Sequence, residues 1–219
     1  MDLILSPLEL RVLGCLIEKE STTPDAYPLS LNALTNACNQ KTNRDPLMDV
    51  NESTVVDTVE SLIKQSLVTS RGGAGSRVSK FAHRLNNRLM DDLEFSRPEL
   101  ALLCVLFLRG PQTPGELKSR CARIYTFADT AELLATLEKL KHHAGGAYVV
   151  QLPRRPGHKE SRYAHLFAGA VESAPDSGAA AATVSDEVAR IAQLEHEVGS
   201  LRGDLDALRE HFESFIKQF

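Results

Sequence analysis

The chain has 219 residues, 42% of them hydrophobic and 25% charged, an ordinary composition for globular material with room for two small domains and an appendage. A net charge of −4 excludes a strongly basic DNA-coating protein. No apolar run approaches the roughly 20 residues that span a bilayer, and Met1-Asp2-Leu3-Ile4-Leu5 lacks the basic region and cleavage site of a signal peptide, so a cytoplasmic protein with no membrane partner is expected.

Ser6, Pro7 and Glu9 form a capping box with proline at the first helical position, and the stripe of Leu10, Leu13 and Ile17 predicts a helix over about residues 7–20. Thr22 to Pro28 reads as loop. Ser30 starts a short second helix with Leu31, Leu34 and Cys38 on one face, and Asn51 caps a third with Val55, Val59, Leu62 and Ile63 inward. Leu67–Ser70 and Val78–Ala82 flank a Gly-rich tip and predict a β-hairpin.

The same order returns in the second half. Helices are predicted from Arg97 to Leu108, from Pro114 to about Arg123, and from Asp129 to His142. A hairpin follows, with strands Ala147–Leu152 and Ser161–Leu166 around the basic tip Pro153–Lys159. Four blocks align in order: Leu5–Leu13 with Phe95–Leu103, Leu34–Cys38 with Leu117–Cys121, Val55–Leu62 with Leu133–Leu140, and Ser79–His83 with Ser161–His165. The offset drifts from 90 to 78 residues, which fits a duplicated small domain with loop insertions. Three helices followed by a hairpin is the winged helix-turn-helix plan. The expected fold is therefore mainly α with small β-hairpins (α+β), as two tandem winged helix-turn-helix domains at 1–91 and 92–170.

Residues 171–183 read as a flexible linker, and 184–219 as a C-terminal amphipathic, coiled-coil-like helix. Ile191, Val198, Leu205 and Phe212 fall at a positions; Leu194, Leu201, Leu208 and Phe215 fall at d. The g-to-e pairs Arg190–Glu195, Glu197–Arg202 and Asp204–Arg209 are opposite in sign, which suits a parallel homodimer. The alternative is a helix folded back on its own chain.

Cys15, Cys38, Cys104 and Cys121 stand singly among apolar helical residues and read as buried reduced thiols. His83 and His165 end equivalent strands and read as structural. Neither a nucleophile–base constellation nor a phosphate loop nor a metal-ligand spacing occurs, so no enzyme activity, cofactor or metal is expected. The candidate nucleic-acid contacts are Lys41, Asn43 and Arg44 in the polar turn between helices 2 and 3, Arg71, Arg77 and Lys80 on the first hairpin, and Arg154, Arg155, Lys159 and Arg162 on the second. For the turn, a self-bonded loop in which Arg44 and Asp45 pair locally is an equal alternative. The third helices carry Glu52, Asp57, Glu60, Asp129, Glu132 and Glu138, which repel phosphate and equally suit a protein partner.

Several runs resemble the bacterial YceH family: Ser6–Glu20, Thr22–Leu31, Cys38–Pro46, Ser79–Arg84 and Gln112–Leu117. The likeness covers about residues 3–170 and implies a tandem winged-helix protein of unestablished role, with no catalytic residue to carry over. The expectation is a non-enzymatic, DNA-binding or transcription-regulator-like protein. The alternative is an interaction module similar to a chromosome-segregation accessory subunit.

Overall fold

Ser6 opens the first helix by the mechanism its sequence encodes. Its hydroxyl accepts the Glu9 N–H, and the Glu9 carboxylate accepts the Ser6 N–H at 2.8 Å. In the computed structural model, which describes residues 3–72, 79–86, 94–157 and 159–169, helix α1 runs Pro7–Thr22. A 3₁₀ turn, Pro24–Ala26, follows where loop was expected, and then a two-residue strand β1, Leu29–Ser30, where no strand was expected. Ser30 caps α2 (Leu31–Cys38) and Asn51 caps α3 (Glu52–Lys64), each side chain accepting a backbone N–H of the first turn. Strands β2 (Val68–Arg71) and β3 (Lys80–His83) form an antiparallel hairpin, and β1 adds to its other edge in the order β1-β3-β2.

The second copy repeats this arrangement. Helix α4 spans Arg97–Arg109, α5 Pro114–Cys121 and α6 Thr130–Lys141, with capping boxes at Ser96–Glu99 and Thr113–Glu116. Strands β4 (Val149–Gln151) and β5 (Tyr163–His165) pair antiparallel. Gln112 takes the place of β1, exchanging backbone hydrogen bonds of 3.0 and 2.7 Å with Tyr163. Among the described residues the architecture is mixed α+β, with six α-helices and small antiparallel sheets.

Helices α1 and α4 are buried along almost their whole central length, from Glu9 to Glu18 and from Glu99 to Leu108. A helix that is largely apolar on every face must be covered on every face, and the few charges in these spans are met by internal partners. Each packs on its own copy and on the other, so one continuous core runs through both copies within a single compact unit, Met1–Glu172. The crossing is close at Gly14. A Cβ there would lie 2.8 Å from Leu108 Cδ2 and 3.2 Å from Phe107 Cβ. Cys104 Sγ donates to the Gly14 carbonyl at 3.3 Å, and these two residues are counterparts in the repeat. The Leu5 N–H donates to the Phe167 carbonyl, and the Phe95 N–H to the Leu85 carbonyl. Leu5 corresponds to Phe95 and Leu85 to Phe167, so each copy's start is held by the other copy's end. A residue touching its own counterpart, with reciprocal exchange around it, marks a pseudo-two-fold relation.

Arg77 and the whole tail, including Ile191, Leu194, Val198, Leu201, Leu205, Leu208, Phe212 and Phe215, lie outside the described residues. No helix among the described residues is long and apolar enough to cross a membrane.

Candidate nucleic-acid interface and the seam between copies

On the first hairpin, Arg71 and Lys80 are exposed and directly opposite each other in the β2–β3 register. Like charges in that position repel, so an anion between them would relieve the pair. On the second hairpin the ladder extends past the strands through the Leu152 N–H to the Arg162 carbonyl at 2.8 Å. Arg154 and Lys159 are exposed on the tip, whereas Arg155 and Arg162 are half-buried and engaged in interactions of their own. The acidic residues Glu52, Asp57 and Glu60 of α3, with Asp129 and Glu138 beside and within α6, face solvent.

The polar turn of residues 39–46 does something else. Asn39 brackets it, its side chain donating to the Val50 carbonyl at 2.7 Å and accepting the Val50 N–H at 2.9 Å. Lys41 is exposed. Arg44, read either as a surface contact or as a local partner of Asp45, has a side chain 0% exposed and pairs with Glu18 of α1 at 2.6 Å. Its Nε donates to the Ala37 carbonyl, its Nη1 to the Asn43 carbonyl and its Nη2 to Cys15 Sγ at 3.4 Å. A buried guanidinium is tolerated only when its donors and charge are met, and the core meets both. Arg44 therefore does not belong to the candidate contact surface, and its partner is Glu18 rather than Asp45. The equally buried Arg11 donates to the Cys38 and Pro46 carbonyls from the other side of the turn.

These arginines shape the thiols beneath them. Burial alone would push Cys15 up, but the Cys38 S–H and the Arg44 guanidinium outweigh it and hold the thiol below its ordinary range. Cys38, donating to Cys15 and buried, is raised.

The turn also reaches the second copy. The Asp45 N–H donates to the Leu108 carbonyl at 2.8 Å. Asn43, in the left-handed region at φ 59°, accepts from Arg109 Nη2 through its side chain. At this seam a cavity of about 40 Å³ is lined by Glu18, Thr22, Asn43, Arg109, Arg120 and Arg123 over an apolar floor that includes Leu108 and Ile124. The two copies thus bring Arg109, Arg120 and Arg123 together, residues that no motif in the sequence singles out.

His165 packs edge-on against Phe107 at 5.2 Å, and its Nδ1 has no hydrogen-bond partner among the described residues. Burial lowers it to about 4. Its counterpart His83 is buried with Nε2 2.9 Å from Glu20, and that bond holds the Glu20 carboxyl below its usual range against the effect of burial.

Residues 5–158 match a family model described as a protein of unknown function, DUF480. A UPF0502 protein of Vibrio parahaemolyticus is 51% identical over 216 residues, covering 99% of this chain and 100% of the relative. UPF0502 proteins of Aeromonas hydrophila and Photobacterium profundum are 49% and 47% identical over 96% and 98% of the chain. These relatives span the tail as well, which the motif resemblance alone did not reach.

Proposed function

The chain belongs to the DUF480 family of proteins of unknown function, and from that starting point we propose that it is a non-enzymatic, cytoplasmic tandem winged helix-turn-helix protein that binds DNA through its two hairpins. The winged-helix assignment is supported by the order helix, short strand, helix, helix, hairpin in the first copy, repeated in the second with the single bridge at Gln112 in place of the strand. The observation that carries the DNA reading is the exposed Arg71–Lys80 cation pair, opposite in register on one hairpin, with the exposed Arg154 and Lys159 on the other. Hairpin cations of this kind contact phosphate and position the protein without reading sequence. The acidic third helices argue for weak, backbone-directed binding.

Gel shifts on a mixed-sequence duplex over a salt series test this. Binding should weaken steeply with salt, and Arg71→Ala/Lys80→Ala should lower both affinity and salt slope. Absence of a shift at low salt would overturn the proposal.

The exposed acid on α3 and near α6 favours a second reading, a protein-interaction module that resembles a chromosome-segregation accessory subunit. A stoichiometric protein partner recovered free of nucleic acid, with no loss on hairpin substitution, would select it. We further propose that the heptads of 184–219 form a parallel homodimer. Light scattering should give different protomer counts for the full chain and a 1–175 truncation; equal monomer masses would refute it.

A further inference from the structure

The duplication provides an internal comparison at the seam. In the first copy, Lys19 near the end of α1 donates from Nζ to Gln40 Oε1 at 3.3 Å. Its counterpart in the second copy is Arg109, and the counterpart of Gln40 is Arg123. A neutral acceptor in one copy is therefore a second cation in the other. Arg120 adds a third. Burial, with Arg120 and Arg44 nearby, lowers the proton affinity of Arg109 although Asp45 and Glu116 act against it. Arg120 has Glu116 at 3.3 Å, out toward solvent. Among the described residues, neither Arg109 nor Arg123 has a carboxylate within ion-pair distance. The cavity's own carboxylate, Glu18, is already committed to Arg44 at 2.6 Å. Three arginines line one cavity, and two of them have no carboxylate within ion-pair distance, so the lining carries more cations than anions.

The ligand class follows from charge and size. A water needs about 10–15 Å³ of such space, so a cavity of about 40 Å³ holds roughly three water-sized positions. That suits the oxygens of one tetrahedral phosphoryl group and not a polymer. Planar guanidiniums recognise phosphate bidentately. Thr22 and Asn43 from the first copy complete the wall.

We propose that this seam cavity is a binding site for a small phosphorylated ligand, held by Arg109, Arg120 and Arg123. Because Thr22 and Asn43 belong to one copy and the arginines to the other, occupancy ties the copies together and stiffens the spacing of the hairpins. The site is separate from the hairpin surface, so it stands or falls independently of DNA binding.

Isothermal titration of the full chain with inorganic phosphate and with pyrophosphate, in buffers matched for ionic strength with chloride, is the direct test. Saturable binding is expected. Arg123→Gln, which installs the first copy's residue on an exposed turn, should weaken it about tenfold, as should Arg109→Gln. The hairpin variant Arg154→Ala should retain wild-type phosphate affinity. No saturable heat above the chloride control, or an unchanged Kd in a folded Arg123→Gln protein, would overturn the proposal. Equal loss in Arg154→Ala would also overturn it, since the phosphate would then sit on the hairpin.

Discussion

Replacing Glu18 with leucine probes the buried centre on which the polar turn depends. Arg44 has no exposed side-chain surface, and the Glu18 carboxylate, 10% exposed and 2.6 Å away, neutralises it. Without that carboxylate the guanidinium keeps only the Ala37 and Asn43 carbonyls and the Cys15 sulfur. An uncompensated buried charge costs about 3–5 kcal/mol, a large part of the about 5–15 kcal/mol that a domain commands. At about 2–4 °C per kcal/mol for a chain of this size, Tm should fall by roughly 6–20 °C. Arg44→Met should cost less, because Glu18 lies close enough to solvent to rehydrate. The double variant Glu18→Leu/Arg44→Met should be more stable than Glu18→Leu alone, since no charge is left stranded. Circular dichroism melts and urea titrations read these values. A Glu18→Leu cost under about 1 kcal/mol, or a double variant equal to the sum of the singles, would refute the reasoning.

The remaining predictions concern pH and backbone. His165 is neutral in the fold with its proton affinity lowered to about 4, whereas unfolded histidine titrates near 6.5. The unfolded state therefore binds the extra proton between about pH 4 and 6.5, so this contribution is complete above about pH 6.5 and is lost as pH falls toward 4. His165→Gln should flatten the slope of urea midpoints across that window. Gly14→Ala gains about 1 kcal/mol of helix propensity but forces a methyl against Leu108 and Phe107; overpacking of about 1–3 kcal/mol should dominate, and Gly14→Val should cost more in the same melt. At Asn43, φ 59° favours glycine, so Asn43→Gly should be milder than Asn43→Ala, both losing the bond to Arg109; thermal melts rank them.

The helices were legible because their starts are written locally. Ser6, Ser30, Asn51 and Thr113 cap at the expected residues, since the capping side chain and its N–H donor lie within three positions. Strand β1 was not legible. It is two residues long, and its partner Phe81 lies over fifty positions away. The burial of Arg44 was not legible for a similar reason. It sits in a run of eight polar or turn residues, Asn39–Pro46, that looks like surface, and its neutralising partner is 26 positions upstream. The arginine cluster carries no motif. Its one sequence signal was the comparison of the copies, where Gln40 is answered by Arg123 and Lys19 by Arg109.

The contact of Gly14 with Cys104 and the exchanged ends make this chain a closed dimer written as one polypeptide. Helix α1 meets its own duplicate, so the ancestral single copy could have paired with itself through the same face. The halves nevertheless differ, in the seam arginines and in the sequences of the hairpin tips. The pseudo-symmetry also fixes polarity. Two hairpins related by a near two-fold axis point their chains in opposite senses, so under the proposed DNA binding the backbone contacts of the two would be arranged about a centre and not head to tail.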